Sequence, residues 1–282
     1  MDNLIIDTHA HLNFNYFKED ADSVIQKTLN EKTWMINVGA EYKTSRRALD
    51  IANRYEKGVY AAVGLHPMHL FEFKAESKDY SFDTRAEIFN YDIYEKLAKF
   101  EKAVAIGEIG LDYYHLDQVD DINKVKDAQK YAFYEQLLLA RRLDLPAIIH
   151  CRQAHDDMLE ILKDFRKEHA DLIPKEKPWA VMHCFSGNED LAWEYFGLGL
   201  IISFTGLITF SRQWDDLIRR LPKDKFMVET DCPFMTPEPY RGTRNEPMYV
   251  RLVAKRIAEI KNMSEERVVD LTTENARQFF RI

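Results

Sequence analysis

The chain has 282 residues, of which 46% are hydrophobic and 30% are charged, and its formal net charge is −8. This composition excludes a disordered chain, and the length suits one large globular domain, so residues 1–282 are expected to form a single domain. The acidic balance argues against a protein that covers a long tract of duplex DNA, because such proteins usually carry a basic surface. A nucleic-acid substrate is expected to be held through a few phosphates near one end.

The compartment is predicted from apolar runs and cysteines. No apolar run is long enough to cross a bilayer, and a strand is predicted from residue 4, which leaves no room for a signal peptide. The three cysteines, Cys151, Cys184 and Cys232, form no CxxC pair and no structural zinc spacing. An odd number without a disulfide framework fits a reducing compartment. We expect a cytoplasmic protein with no membrane partner, and a monomer rather than an obligate oligomer.

Short apolar runs alternate with longer amphipathic stretches along the whole chain. Strands are predicted at 4–9, 33–39, 59–65, 103–109, 146–151, 179–185, 200–206 and 226–231. Helices are predicted near 20–31, 43–56, 91–101, 124–143, 154–167, 188–197, 213–220 and 247–261. Units of roughly 35 residues predict an α/β fold, a (β/α)8 TIM barrel with a C-terminal helical extension at 264–280 that caps the barrel bottom or packs on the first helix. A doubly wound sheet is disfavoured because the first turn, 8–11, lacks a glycine-rich phosphate fingerprint.

One segment, 67–90, is polar and aromatic without a clear period, and it follows the third predicted strand. A loop of this length in a compact domain is usually functional or a local decoration. Two interpretations stay open, a lid or wall of a substrate site and a plain insertion.

Histidines and carboxylates lie where the predicted strands end. His9 and His11 follow an apolar run, and strand alternation puts both on one face together with Asp7. Glu108, His150, His183 and Asp231 end four later strands in the same way, and Glu229 is expected to share the face of Asp231. Each alone could be a hydrogen-bonded core residue. Gathered at one end of a barrel, they would be costly to bury without a cation.

The number of these side chains predicts two metals. Three or four imidazoles and two carboxylates exceed the ligands of one tetrahedral ion. A shared Glu108 could bridge two ions ~3.5–4 Å apart, the usual spacing of two-metal phosphate-cleaving sites. On softness alone, imidazoles favour zinc, manganese or iron over magnesium. This preference does not decide which metal is used, and two divalent ions, Mg²⁺, Mn²⁺ or Zn²⁺, are the expected cofactors.

Each cysteine follows one of these residues by a single position. Cys151 follows His150, and the same holds for Cys184 and Cys232. Alternation along a strand therefore predicts that all three point away from the site, into the layer between strands and helices.

Six motifs together carry a family resemblance. They are Asp7-Thr-His-Ala-His-Leu12, Gly64-Leu-His-Pro67, Ile106-Gly-Glu-Ile-Gly-Leu-Asp-Tyr-Tyr114, His183-Cys-Phe-Ser-Gly187, Glu229-Thr-Asp-Cys-Pro233 and Arg241-Gly-Thr-Arg-Asn-Glu-Pro247. Over essentially its full length the chain resembles the TatD-like deoxyribonucleases of the metal-dependent amidohydrolase superfamily. Phosphotriesterase-like relatives have a carboxylated lysine after strand four, where this chain has Glu108 and no lysine. The chain departs from the family in having Pro233-Phe-Met235 where members often have Pro-Tyr-Leu, and in the 67–90 segment.

The resemblance implies an activity and a set of ligands. Family members are divalent-metal hydrolases of phosphodiester bonds, commonly 3′-to-5′ exonucleases on single-stranded DNA, so DNA ends are the expected partner. The ligand positions carried over are His9, His11, Glu108, His150, His183 and Asp231.

The hypothesis for the reaction is metal-assisted phosphodiester hydrolysis. Catalytic roles are assigned to Asp231, which would orient the attacking water and accept its proton, and to Glu108. His66, Arg152, Ser186 and Arg244 are the candidate substrate contacts, with Arg241 as a further phosphate contact. Ser186 is chosen because it and Gly187 are expected to open the sixth helix, where backbone amides can face an anion. For His66 the alternative is metal ligation, and for Arg244 it is a salt bridge that organises the last loop. Tyr113, Tyr114 and Phe185 are expected beside the site, and stacking on bases by the two tyrosines is weighed against ordinary packing.

Two other classes of function remain open. The same scaffold could hydrolyse another ester or amide bond, such as that of an aminoacyl-tRNA, a lactone, a phosphotriester or a cyclic amide, because fold alone does not choose the bond. A non-catalytic, metal-stabilised scaffold is less favoured, because every expected ligand is present.

Overall fold

The computed structural model describes residues 3–76, 81–84, 86–114 and 116–282, with only the backbone described for 73–76 and 81–84. The strands are β1 Ile5–Ala10, β2 Thr33–Val38, β3 Val59–Val63, β4 Phe73–Glu76, β5 Ser81–Thr84, β6 Ala103–Asp112, β7 Ala147–Arg152, β8 Ala180–Met182, β9 Leu200–Phe204 and β10 Phe226–Val228. The helices are α1 Ala21–Asn30, α2 Tyr42–Ala52, α3 Tyr91–Ala98, α4 Ile122–Arg142, α5 His155–Glu168, α6 Glu189–Gly197, α7 Asp215–Arg220, α8 Val250–Lys261 and α9 Glu265–Phe280.

Eight strands form one parallel sheet in the order β1-β2-β3-β6-β7-β8-β9-β10. The first and last strands meet through a parallel bridge between Ala10 and Cys232, and the Asp231 amide donates to the His9 carbonyl over 2.8 Å. The sheet is therefore a nearly closed barrel with helices between its strands, which confirms the predicted (β/α)8 architecture. Among the described residues, no helix is long and apolar enough to cross a membrane.

Every barrel strand contributes one or two apolar side chains to the interior. These residues are Ile6, Ile36, Val38, Ala62, Val104, Ala105, Ile148, Val181, Ile201 and Met227. At the lower end, Ala276, Phe279 and Phe280 of α9 pack against the same cluster. The C-terminal extension thus caps the barrel bottom, which is the first of the two placements expected from the sequence.

Several element bounds differ from the prediction. β8 and β10 end at Met182 and Val228, so His183 and Asp231 lie just beyond their strands. β6 continues through Asp112 rather than stopping at residue 109, so Glu108 lies within a strand instead of at its end. The 67–90 segment is not wholly irregular, because it contains a 3-10 turn at Pro67–Leu70 and the antiparallel pair β4–β5. Residues 77–80 and 85 lie outside the described part, as do the side chains of β4 and β5. Both interpretations of this segment therefore stay open.

Candidate metal centre

Residues of the candidate site follow interior residues of the barrel by two positions along their strands. His150 lies two residues after Ile148, and His183 lies two residues after Val181, so each imidazole stands one layer above an interior residue. Glu108 reaches the same face from β6, where the register with β7 shifts between Ile106 and Ile109. Because all barrel strands are parallel, their carboxyl ends share one face, and these side chains converge there.

The first strand reaches this face by an irregularity. The register between β1 and β2 shifts between Asp7 and Ala10, and this shift brings His9 and His11 to the site. The prediction that Asp7 shares their face is wrong. Its buried carboxylate instead accepts hydrogen bonds from the Thr230 amide over 2.8 Å and from the Thr230 hydroxyl over 2.5 Å. Asp7 therefore joins the two ends of the sheet below the site.

Glu108 is the centre of the cluster. Its Oε1 lies 2.9 Å from His150 Nδ1, 2.9 Å from His183 Nε2 and 3.4 Å from His66 Nε2. Glu108, His183 and His66 are buried, and His150 is partly buried. One oxygen of the carboxylate is thus surrounded by imidazole nitrogens.

The second oxygen of Glu108 faces a different group. Oε2 lies 3.4 Å from His9 Nε2 and 3.8 Å from His11 Nε2. Asp231 Oδ1 closes this group, 3.3 Å from His11 Nε2 and 3.8 Å from His9 Nε2. The Glu108 carboxylate therefore lies between two sets of possible metal ligands, with one oxygen facing each set.

These donors fit divalent metal ions. Three sets have ligand atoms that all lie within 4.8 Å of one another, and they are His9–Glu108–His183, His9–His11–Asp231 and His66–Glu108–His150. Imidazole nitrogen and carboxylate oxygen are the ligands that zinc and manganese sites use. The structure thus brings all six predicted ligand residues together, and it adds His66 at the edge of the group.

Three imidazoles are oriented by hydrogen bonds from their outward nitrogens. His11 Nδ1 donates to the Val38 carbonyl over 2.8 Å. His150 Nε2 donates to Asp112 Oδ2 over 3.0 Å, and His183 Nδ1 donates to Glu229 Oε1 over 3.3 Å. In the neutral ring, each bond places the proton on the outward nitrogen, so the nitrogen that faces Glu108 or Asp231 is the one that would bind a metal.

Asp112 and Glu229 form hydrogen bonds with the predicted ligands His150 and His183, contacts that the sequence does not predict. Asp112 has the same parity as Glu108 along β6, so alternation could have placed it inside, had the strand not been ended at 109. Glu229 also accepts hydrogen bonds from the Cys184 amide over 2.6 Å and the Ser203 hydroxyl over 2.7 Å. These contacts fix the carboxylate that orients His183.

A glycine makes room for His150. Gly110 has a φ of +144°, and a Cβ added there would lie 2.0 Å from the His150 carbonyl oxygen. β6 and β7 can therefore approach closely at this level only because residue 110 has no side chain. The close approach sets the distance between Glu108 and His150.

The pKa values of the cluster reflect its burial and its mixed charges. Burial opposes charge on Glu108, but His66, His183 and a hydrogen bond from His150 outweigh it and hold the pKa of Glu108 well below its usual range. Burial likewise lowers the pKa of His150, yet hydrogen bonds to Asp112 and Glu108 raise it to about 9. The carboxylates are thus ionised at neutral pH, and the pKa of His183 is also raised, by Glu108 and Glu229, against its burial.

Metal binding is expected to release protons, and the apparent affinity for Mn²⁺ to rise as the pH rises toward 9. His150 carries a proton below its pKa of about 9, and a metal must displace that proton from Nδ1. Lowering the pH therefore favours protonation of His150 and lowers the apparent affinity for the metal. Calorimetric titration of metal-free protein in two buffers of different ionisation enthalpy measures the release. Equal apparent enthalpies in the two buffers would contradict the prediction.

The predicted substrate contacts are spread around the mouth of the barrel. His66 joins the cluster, as its distance to Glu108 shows. The guanidinium of Arg152 stacks 3.6 Å above the centroid of the Tyr114 ring. Arg244 forms the salt bridge that was the alternative to a substrate contact, with bonds of 2.9 and 2.6 Å to the two oxygens of Asp20.

Ser186 is exposed but does not open the following helix. α6 begins at Glu189, and the side chain of Asn188 accepts the hydrogen bond from the Leu191 amide that caps it. The prediction that Ser186 and Gly187 begin this helix is therefore wrong, because the cap lies further along the chain. A contact between Ser186 and substrate stays a prediction.

The aromatic residues near the site have different environments. Phe185 is buried in the core, and the Tyr113 hydroxyl donates to Asp157 over 2.6 Å, which supports packing for both. Tyr114 is 46% exposed beneath Arg152, so it is the one of the three that presents a ring to solvent.

Two of the three cysteines behave as alternation predicts. Cys151 and Cys232 belong to the core between the strands and helices. Cys184 differs, because β8 ends at Met182 and Cys184 has a φ of +45°. Its thiol is partly buried and lies 3.5 Å from the Thr205 hydroxyl.

Comparisons with known proteins agree with this geometry. The sequence model of the TatD related DNase family matches residues 6–281. An uncharacterized metal-dependent hydrolase of Bacillus subtilis, YabD, is 38% identical over 282 residues, which cover 99% of this chain and 100% of the relative. The 3′-5′ ssDNA/RNA exonuclease TatD of Erwinia tasmaniensis is 30% identical over 286 residues, which cover 99% and 100% of the two chains.

The fold has close matches among solved structures. The crystal structure of YjjV, a TatD homolog from Escherichia coli K12, superimposes with a TM-score of 0.80 over 100% of both chains, at 28% sequence identity. A TatD family hydrolase from Entamoeba histolytica gives a TM-score of 0.78 over 99% of this chain and 98% of its own, at 24% identity. The full-length family match, together with the barrel and its buried histidine–carboxylate cluster, shows that this chain belongs to the TatD related DNase family of metal-dependent hydrolases.

Proposed function

We propose that this chain is a divalent-metal-dependent phosphodiester hydrolase that removes nucleotides from the 3′ end of single-stranded DNA. The observation that carries the proposal is the position of Glu108, whose two oxygens face two separate donor groups. A carboxylate between two ions is typical of enzymes that cleave phosphodiester bonds. The activity in the name of the Erwinia relative supports the choice of single strands and of 3′-to-5′ polarity.

Two ions, Mg²⁺, Mn²⁺ or Zn²⁺, are the proposed cofactors. The proposed ligands of one ion are His9, His11 and Asp231, those of the other are His150 and His183, and Glu108 is shared. When bound, such ions supply a water of lowered pKa and positive charge for the phosphoryl group.

Asp231 is the proposed proton acceptor. Its side chain is 12% exposed, against 7% for Glu108, so it is the carboxylate of the pair that water reaches more easily. Burial raises the pKa of Asp231, but a hydrogen bond from His11 and the charge of His9 lower it below its ordinary value. The carboxylate is therefore ionised at neutral pH and can accept a proton from the attacking water.

His66 is the proposed donor to a substrate phosphate. Its Nδ1 accepts a hydrogen bond from the Met68 amide over 3.2 Å, which places the proton of the neutral ring on Nε2. That Nε2–H lies at the edge of the cluster, 3.4 Å from Glu108. The ring can therefore donate to a non-bridging oxygen held beside Glu108, and this donor role is favoured over metal ligation.

Hydrolysis of a labelled single-stranded oligonucleotide by the purified protein with Mg²⁺ or Mn²⁺ tests the function. A ladder that shortens from the 3′ end and disappears with EDTA is the expected result. A strand labelled at its 3′ end distinguishes the polarity, because its label is released in the first turnover. No cleavage with metal verifiably bound would refute the nuclease assignment and direct the search to ester and amide substrates.

Arg152→Ala is expected to raise KM on single-stranded DNA roughly 10-fold, because a guanidinium on the rim can bind a phosphate through charged hydrogen bonds. The metal content should not change, since Arg152 contacts Tyr114 rather than the cluster. Steady-state kinetics over a range of DNA concentrations measure the change. Arg142→Ala removes the same charge from the outer surface of α4 and should behave as the wild type. Unchanged kinetics in Arg152→Ala would refute the contact.

A further inference from the structure

A second arginine–aromatic pair lies on the rim of the barrel mouth. The guanidinium carbon of Arg241 is 3.6 Å from the centroid of the Phe210 ring. Arg241 is exposed, and Phe210 is 38% exposed although it is a large apolar residue. Phe210 belongs to the loop after β9, and Arg241 belongs to the loop after β10. The pair repeats the arrangement of Arg152 on Tyr114, three strands further around the barrel.

The two loops that carry this pair are fixed to one another. A Cβ added to Gly206 would lie 2.1 Å from the Met235 carbonyl oxygen, so the backbones are in close contact there. The Glu238 amide donates to the Thr209 hydroxyl over 3.0 Å, next to Phe210. The ring and the guanidinium are therefore held together by the loops and not only by their own contact.

The charge of Arg241 is not neutralised within the described part of the chain, where no carboxylate lies within ion-pair distance of it. Arg244, three residues further, shows the opposite case, since Asp20 binds both of its terminal nitrogens. In a chain with a net charge of −8, a guanidinium without an acidic partner at the mouth attracts an anion. Its stacked, half-exposed ring also offers a surface to a flat ring system.

The position of the pair relative to the metal centre follows from its loops. The loop after β9 begins at Thr205, which contacts Cys184, the neighbour of His183. The loop after β10 begins at Glu229, contains Asp231 and reaches Arg241 ten positions after Asp231. The pair thus lies on two loops, one of which contains Asp231 while the other contacts the neighbour of His183.

We infer that Phe210 and Arg241 form a nucleotide subsite outside the metal centre. It takes one nucleotide of a single strand, with its base against the Phe210 ring and its phosphate on Arg241, while another nucleotide lies at the cluster. This inference rests on the proposed function, because it takes single-stranded nucleic acid as the substrate. A subsite of this kind makes affinity depend on strand length, since a single nucleotide at the cluster cannot reach it.

Binding of a fluorescent oligothymidylate with phosphorothioate linkages, which resist cleavage, tests the subsite in the metal-loaded protein. Phe210→Ala and Arg241→Ala are each expected to raise Kd about 10-fold by fluorescence anisotropy. Arg241→Ala should also reduce the slope of log Kd against log salt by roughly 0.7, the value for one phosphate of a single strand. Phe210→Tyr should bind as the wild type, whereas Phe210→Leu, which keeps apolar bulk without a ring, should bind as Phe210→Ala.

Turnover of the p-nitrophenyl ester of thymidine 5′-phosphate separates the subsite from the metal centre. This one-nucleotide substrate should be hydrolysed at the same rate by the wild type, Phe210→Ala and Arg241→Ala. Arg142→Ala, which removes an exposed guanidinium that lies over the Tyr91 ring on the outer helices, should change neither measurement.

The outcomes distinguish the two proposals. Equal Kd values in the wild type, Phe210→Ala and Arg241→Ala would overturn the subsite and leave the nuclease proposal standing. A parallel loss of one-nucleotide turnover would also overturn it, because the pair would then support the fold or the metal centre. Weaker strand binding by both variants, in a wild type that cleaves no DNA, would support the subsite and refute the nuclease.

Discussion

Glu108→Gln is expected to reduce hydrolysis roughly 10³-fold and to lower the metal content of the purified protein. Glutamine keeps the shape of the side chain, but it carries no charge and places an NH₂ donor where one oxygen was. Oε1 has two nitrogens at 2.9 Å, on His150 and His183, and the chain is buried there, so the site has no room to rearrange around the amide. Steady-state rates and elemental analysis by mass spectrometry measure the two effects.

Glu194→Gln is the matched control for this change. Glu194 lies on α6 and pairs with Lys163 over 2.8 Å at the outer surface, where an ion pair contributes about 0–1 kcal/mol. It should keep the rate and metal content of the wild type. Wild-type metal content in Glu108→Gln would refute the shared ligand, and loss of metal without loss of rate would refute a metal-dependent reaction at this centre.

The gathering of the cluster could be predicted because it follows from strand periodicity. Ile148 and His150 share a parity, as do Val181 and His183, so a buried strand that turns its apolar residues inward must also turn its last histidine inward. Parallel strands in a barrel end on one face, which brings such residues together from across the whole sequence. The family motifs agreed with this pattern and identified the same six ligand positions.

Deviations from strand periodicity could not be predicted, because tertiary contacts cause them. The register shift in β1 separates Asp7 from the two histidines that follow it. Cys184 and Asp231 have φ values of +45° and +55°, and the hydrogen bond from the Asp231 amide to the His9 carbonyl holds the second of these. Such conformations are uncommon for residues with a side chain and depend on neighbours that sequence spacing does not show.

The hydrogen-bond and ion-pair partners of polar residues could not be predicted from residue spacing either. Arg244 binds Asp20, a residue from the other end of the chain, and spacing alone does not choose between this pair and a phosphate. The bond between Asp112 and His150 does not follow from the predicted strand, which ends at residue 109, because β6 continues to Asp112. The Phe210–Arg241 pair joins two loops that only the closed barrel brings into contact.

Asp231→Asn is expected to lower kcat roughly 10³-fold while the metal content and the affinity for a single strand change little. Asparagine tolerates the left-handed backbone at this position and keeps one oxygen for a ligand, so the fold and much of the donor group survive. What it loses is the ability to accept a proton from water. Rates on single-stranded DNA, elemental analysis and strand binding by anisotropy measure the three quantities on one preparation.

Asp144→Asn is the control, because Asp144 precedes β7 at the far end of the barrel and pairs there with Arg281 over 2.7 Å. It should retain wild-type rates. Undiminished turnover in Asp231→Asn would show that another group accepts the proton. Loss of metal equal to that in Glu108→Gln would show that Asp231 acts chiefly as a ligand. Only a variant that retains its metal and loses turnover separates proton transfer from metal binding. We expect this result for Asp231→Asn because the Asp231 carboxylate is more exposed to water than that of Glu108.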